Sequence, residues 1–244
     1  MKLFIVLTGL FFTLVSAAPG QTVTFVSPDG LTVTADLYMT GNKKAPFIIL
    51  YHQARYSRGE YLEIAPKLNT LGFNCLAVDQ RSGDKVNHVP NETHARAVQK
   101  SLGTEYVDAF PDMEAALLYT KNKLDADKII VWGSSYSSAL VFVLASKYPD
   151  TADGILSFSP GNYFELEGKS VSDYAEAVDC PVFITSTRSE EESWRPVYDH
   201  LKTKNKTYYL PEDEGFHGSK ALWEKNEGHE GYWKAVEEFL GEFK

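Results

Sequence analysis

From residue 21 onward, short apolar runs rich in β-branched residues alternate with longer segments whose apolar residues recur at helical spacing. A strand that is apolar on both faces has to be covered on both faces, and a parallel neighbour can be reached only through a crossover long enough to hold a helix. The pattern therefore predicts an α/β fold with a doubly wound, mostly parallel sheet of about eight strands and helices on both faces. The opening differs. Residues 22–26 and 31–38 flank the turn signal Pro28-Asp29-Gly30, so they read as an antiparallel hairpin that gives the sheet an antiparallel N-terminal edge.

Further strands are expected at 46–51, 73–78, 128–132, 154–158, 181–185 and 207–210, and helices at 60–71, 107–124, 136–147, 172–178, 194–202 and 232–243. After Asp79 the chain makes a polar excursion of roughly 25 residues, a length that is uncommon without a task. This segment is expected to border a pocket, with Asn87, His88 and Asn91 as candidate substrate contacts. Neither low-complexity linkers nor internal repeats interrupt the pattern, and no stretch is left over for a cap domain.

The first residues stand apart from this organisation. Lys2 precedes an apolar run, Leu3 to Val15, and then the small residues Ser16-Ala17-Ala18. These are the three regions of a secretory signal, with cleavage expected after Ala17 because the next bond would place Pro19 beside the cut. Residues 1–17 are thus read as a signal peptide and 18–244 as one domain, secreted or periplasmic. The run is shorter than the about 20 residues a spanning helix needs, so no membrane association is expected after cleavage. The formal charge of −9, more negative still without Lys2, disfavours nucleic acid as a partner, because phosphate binding requires clustered cations. Cys75 and Cys180 are too few for a disulfide scaffold, no Cys/His cluster has zinc-ligand spacing, and neither metal nor cofactor is expected.

One segment points to chemistry. The apolar strand ending in Ile129-Ile130-Val131-Trp132 runs into Gly133-Ser134-Ser135-Tyr136-Ser137 and then into an apolar helix. Small residues two positions either side of a nucleophile allow a strained strand-to-helix elbow that lifts its side chain above the sheet edge. Centring on Ser134 or Ser138 puts bulky residues at the small positions, and Ser137 lies farther into the helix, so Ser135 is the candidate nucleophile. The alternative is an ordinary serine at a helix start.

A serine hydroxyl needs a base to take its proton. His217, in Glu214-Gly215-Phe216-His217-Gly218 after the last expected strand, is flanked by glycines that permit a tight turn. His52, His88, His94, His200 and His229 are expected to be surface or packing residues. A third group should fix the imidazole's tautomer, and the acidic run after strand 181–185 supplies Glu190. Glu191, Glu165 and Asp213 remain alternatives, and the adjacent glutamates also suit the acidic start of a solvated helix.

The order Ser, acid, His along a doubly wound sheet resembles the α/β-hydrolase fold, over nearly the whole of residues 18–244. The resemblance implies an oxyanion turn at His52-Gln53-Ala54, with the backbone N–H groups of Ala54 and Tyr136 as donors. The absence of a cap and the form of this turn are similar to dienelactone-hydrolase-like enzymes. Those relatives, however, typically carry a cysteine nucleophile and a glutamate where Gln53 stands, so lactone specificity is not implied. Asp79-Gln80-Arg81-Ser82-Gly83 resembles the loop that Asp and Arg organise in this fold. The family's strand order keeps Cys75 and Cys180 apart, which implies two buried free thiols. Asn91-Glu92-Thr93 and Asn205-Lys206-Thr207 match the N-glycosylation acceptor pattern. Together these features suggest a serine hydrolase acting on a small-molecule or oligomeric carboxylic ester, with a peptidase of the same fold or a non-catalytic binding protein as the alternatives.

Overall fold

A computed structural model describes residues 20–244; the expected signal peptide lies outside the described residues. The sheet contains β1 (Gln21–Val26), β2 (Thr32–Tyr38), β3 (Phe47–Tyr51), β4 (Asn74–Val78), β5 (Ile129–Ser134), β6 (Gly154–Phe158), β7 (Val182–Thr185) and β8 (Lys206–Tyr209). Their spatial order is β1-β2-β4-β3-β5-β6-β7-β8. β2 runs antiparallel to both β1 and β4, and every later pairing is parallel. The expected architecture is the one observed.

The helices are α1 (Ile64–Thr70), α2 (Glu92–Gln99), α3 (Phe110–Asn122), α4 (Tyr136–Lys147), α5 (Val171–Ala175), α6 (Glu191–His200) and α7 (His229–Leu240). Strand alternation divides the core between the two faces. Ile49, Tyr51, Ile129 and Val131 point to the layer built by α3, α4, α5 and α6, whereas Ile48, Leu50, Ile130 and Trp132 point to α1 and α7. β3 to β7 are buried along their whole length, which is why they read as unbroken apolar runs. None of the described helices is long and apolar enough to cross a membrane.

Two elements differ in kind from expectation, each for a local reason, while α6 and α7 begin three residues earlier than expected. The helix expected at 60–71 is a 3-10 turn, Arg58–Tyr61, followed by α1. A continuous helix would put Pro66 in its interior, against the carbonyl four residues back, whereas starting at Ile64 leaves it in the first turn where its missing N–H is harmless. The excursion after Asp79 holds a two-stranded ribbon, Lys85–Val86 with Val89–Pro90, and then α2. α2 is mostly polar, and burying Thr93 and Ala97 is enough to seat it; Thr93 Oγ1 accepts the backbone N–H of Thr34 on β2 at 3.0 Å.

The loop after β4 is held by two ionic clusters, the structural role expected for Asp79 and Arg81. Asp79 accepts from the Arg58 guanidinium at 2.6 Å and from the backbone N–H groups of Arg58 and Glu92 at 2.7 and 2.9 Å. Arg81 grips the fully buried Asp112 through Nε and Nη2 at 2.9 and 2.7 Å and reaches Asp29 at 2.6 Å. Cys75 is buried and Cys180 only half-buried at the mouth of β7, and both are free thiols. Because removing one partner of a buried pair strands the other charge, Arg81→Ala should destabilise the protein by about 3–5 kcal/mol. Chemical denaturation of the variant beside the wild type checks this.

Candidate active site

At the end of β5 the backbone turns sharply. Ser135 has φ +60° and ψ −121°, a region that costs an ordinary residue on the order of 1–3 kcal/mol. The turn brings strand and helix so close that a Cβ at Gly133 would lie 2.4 Å from both the carbonyl oxygen of Ser137 and the Cα of Ser138. Ser137 is also small, and its hydroxyl stitches the turn: it accepts the Ser134 N–H at 2.8 Å and donates to the Tyr51 carbonyl on β3 at 2.7 Å. Gly133 is therefore small for a steric reason, whereas Ser137 does through its hydroxyl what a glycine could not. The Ser135 hydroxyl is half-buried and makes no hydrogen bond to the described residues.

His217 hydrogen-bonds Glu190 through Nδ1. Because a carboxylate can only accept, Nδ1 carries the proton and the neutral ring leaves Nε2 as a free acceptor. Burial pushes the Glu190 carboxyl up, but hydrogen bonds from His217, Ser159 and the Thr187 backbone outweigh it and hold the group below its ordinary range. Glu190 is fixed from behind: its second oxygen accepts from Ser159 Oγ at 2.7 Å and from the Thr187 N–H at 3.2 Å. Ser159 Oγ in turn accepts the Gly218 N–H at 2.9 Å, so one side chain holds both the acid and the histidine turn. Of the alternative acids, Glu191 pairs with Arg195, and Glu165 and Asp213 are exposed.

The histidine turn packs directly on the elbow. Gly215 and Gly218 both take positive φ, +76° and +71°, and a Cβ on Gly218 would come within 2.6 Å of Ser134 Oγ. The Ser219 N–H donates to that same Ser134 Oγ at 2.8 Å. Thus the segments bearing Ser135 and His217, distant in the chain, touch at the residues beside each.

The turn after β3 is locked by His52, which is fully buried. Its Nδ1 donates to the Gln53 carbonyl at 2.8 Å while Nε2 accepts the Gln80 N–H at 3.1 Å and faces the Asn91 amide at 3.1 Å. Burial lowers its pKa to about 4, so the ring stays neutral and supports the turn. The expected donors, the N–H groups of Ala54 and Tyr136, have no acceptor among the described residues. His94, His200 and His229 bind the carbonyls of Arg81, Pro196 and Asn226.

The three candidate substrate contacts in the excursion do not form a set. Asn91 is buried, caps α2 by accepting the His94 N–H at 2.8 Å, and gives its amide to Gln80 O at 2.8 Å; Asn87 donates to the Gly59 carbonyl at 3.0 Å, and His88 is exposed. Asn91 is thus a framework residue, because an N-cap asparagine satisfies a helix's orphan donors better than it serves a mobile ligand. Its burial also removes it as a glycan acceptor, whereas Asn205 is exposed.

Sequence reasoning missed Glu60, Ser134, Ser159 and Ser219 as parts of this assembly. Glu60 is fully buried and accepts the Gln53 N–H at 2.8 Å, the Gln53 side-chain amide at 3.2 Å and the Ser134 hydroxyl at 2.8 Å. No local pattern marks these residues, since each acquires its role from a partner far away in sequence. Among the described residues no group of acidic, histidine or cysteine side chains could hold a metal ion.

Comparison with known proteins agrees with this fold. The family profile for the alpha/beta hydrolase fold matches residues 46–213, and the chain belongs to that family. No curated protein sequence matches it. Similar solved structures include the Pyrococcus furiosus esterase Pf2001 at 17% identity, covering 92% of this chain and 91% of that one with a TM-score of 0.70. The dienelactone hydrolase of Anabaena variabilis is 13% identical, with 92% and 98% covered and a TM-score of 0.72. Est1E of Butyrivibrio proteoclasticus, solved with ferulic acid bound, is 15% identical, with 91% and 98% covered and a TM-score of 0.69. At these identities the likeness is one of fold.

The steric reading of the elbow has a direct test. Gly133→Ala forces a methyl into backbone that cannot retreat, so it should lower stability by about 1–3 kcal/mol or more, measured by thermal or urea unfolding, while Ser137→Gly should be the milder change.

Proposed function

We propose that the protein is a secreted or periplasmic serine hydrolase that cleaves small carboxylic esters through an acyl-enzyme on Ser135. The observation that carries this reading is the His217–Glu190 pair, with Nε2 left as a free acceptor, on a turn packed against the elbow that carries Ser135. Ser135 Oγ attacks the ester carbonyl carbon while its proton passes to His217 Nε2. Negative charge then collects on the former carbonyl oxygen, where the N–H groups of Ala54 and Tyr136 can receive it; such donors are worth about 10²- to 10³-fold each. The C–O bond to the alcohol breaks as the imidazolium returns its proton to the leaving oxygen. Water, deprotonated by the same nitrogen, attacks the acyl carbon, and the carboxylic acid leaves with Ser135 regenerated. Glu190 keeps Nδ1 protonated and stabilises the imidazolium without itself taking the proton.

Support for esters comes from the esterases and the dienelactone hydrolase that share the fold, and the cap-less surface suits a small or extended substrate. Secretion rests on the N-terminal sequence alone.

On a panel of p-nitrophenyl esters, Ser135→Ala and His217→Ala should each reduce kcat by roughly 10³-fold or more, and Glu190→Gln by about 10²- to 10⁴-fold through the wrong tautomer. A Ser135→Ala variant that hydrolyses these esters at the wild-type rate contradicts the reading. For localisation, Edman or mass-spectrometric analysis of the exported protein should begin at Ala18. In a eukaryotic secretory host a glycan should appear on Asn205 and not on the buried Asn91; a mature chain that still begins at Met1 contradicts secretion by this signal.

A further inference from the structure

The carboxyl of Glu60 is buried beneath the three loops that form the candidate site, outside every role assigned above. Its Oε2 accepts the Gln53 backbone N–H of the oxyanion turn at 2.8 Å, and its Oε1 accepts the Ser134 hydroxyl beside Ser135 at 2.8 Å. Ser134 Oγ receives the Ser219 N–H at 2.8 Å, just beyond His217. The segment that carries Glu60 is itself anchored, because the Glu60 carbonyl accepts Trp223 Nε1 at 2.9 Å and the Tyr61 hydroxyl donates to the Tyr51 carbonyl at 2.6 Å. One carboxylate therefore lies at the junction of the oxyanion turn, the elbow and the histidine turn.

Resting on the serine-hydrolase reading, we propose that Glu60 is a positioning residue whose ionised carboxylate clamps the three loops together and whose protonation loosens them. The chemistry of its partners decides which form clamps. A backbone N–H and an amide N–H can only donate, so with the Gln53 side chain oriented as it is the proton of a neutral Glu60 has a single place to go, Ser134 Oγ. That oxygen already accepts from Ser219, and accepting a second hydrogen bond would turn its own proton away from Glu60. The neutral acid thus reverses the bridge, leaves the Ser134 proton without that acceptor, and exchanges the charge-assisted bonds of the carboxylate for weaker neutral ones.

The surroundings allow this switch within an ordinary pH range. Burial pushes the Glu60 carboxyl up to about 7, against the hydrogen bonds from Gln53 and Ser134 that pull it down. The groups that face it are His217 from the histidine turn, Tyr136 from the elbow helix, and Tyr56 and Tyr61 from its own segment. Burial raises the phenols Tyr136, Tyr56 and Tyr61 above their ordinary value. No lysine or arginine pairs with Glu60 among the described residues. The clamp is therefore made above about pH 7 and lost as the pH falls through it.

The test has an arm that does not depend on catalysis. In the His217→Ala protein, which takes the imidazole out of the site, the backbone amide resonances of Gln53 and Ser219 should shift together with pH. The step should vanish in Glu60→Gln/His217→Ala. Amides that do not titrate, or that titrate equally without Glu60, overturn the proposal whether or not the protein is an esterase. The second arm is kinetic. Glu60→Gln should lower kcat roughly 10- to 100-fold with KM within about threefold and remove one ionisation from the acid limb of kcat/KM, while Glu60→Asp should restore that ionisation and part of kcat. If Glu60→Gln does not fold, Ser134→Ala carries the kinetic arm, since it breaks the bridge and leaves the acid. Wild-type kcat and an unchanged acid limb in a folded variant also overturn the proposal. A wild-type protein that hydrolyses no ester, with the amide titration present, defeats the serine-hydrolase reading and leaves the clamp standing.

Discussion

The contact between the Ser219 N–H and Ser134 Oγ sets the distance between two parts of the chain that nothing else in the sequence relates. It exists because Gly133 lets β5 and α4 close on each other and because Gly218 lets the histidine turn lie flat on the result. Both glycines answer an identified obstacle, backbone in one case and a hydroxyl in the other. With that contact in place, the turns that carry His217 and Ser135 lie against each other, and Glu190 and Ser159 orient the ring.

The buried polar groups under this surface form a connected set. Glu60 accepts a backbone N–H of the oxyanion turn, and Ser134 and Ser159 accept backbone N–H groups of the histidine turn, so the site is aligned by hydrogen bonds to main chain. Such a network is worth keeping only when all its members are satisfied. Glu60 adds a tension between folding and alignment. Its folded pKa of about 7 lies above the ordinary 4.5, so its protonated form is the one folding favours. That stabilising contribution is complete below about pH 4.5 and is lost as the pH rises through about 7, the interval in which the carboxylate gathers its three donors. The protein gives up some stability at the pH where the loops are best held.

Where a feature depends on nearby residues, it could be read from the sequence. Central strands show as unbroken apolar runs because both faces are covered, and the elbow shows because its steric demands fall within two residues of Ser135. Helix α4 begins and ends where its pattern does. Features that depend on distant partners could not be read in this way. α2 buries too little to leave an apolar stripe, and nothing local to Asn91 distinguishes a ligand contact from an amide spent on Gln80 and its neighbours. Glu190 stood among three adjacent glutamates that differ only in what lies above them, and the Ser159 hydroxyl and Gly218 N–H single it out. Glu60 is, by sequence alone, an ordinary acidic residue at the start of the helix expected at 60–71.

The central claim is that Ser135 is the residue made reactive by this arrangement. Peptide mapping by mass spectrometry after treatment with a fluorophosphonate tests it most directly. The account predicts a single stoichiometric adduct on Ser135, formed by the native protein and lost in His217→Ala. An adduct on Ser134, Ser137 or any other residue, or no adduct in a preparation that hydrolyses esters, would contradict it.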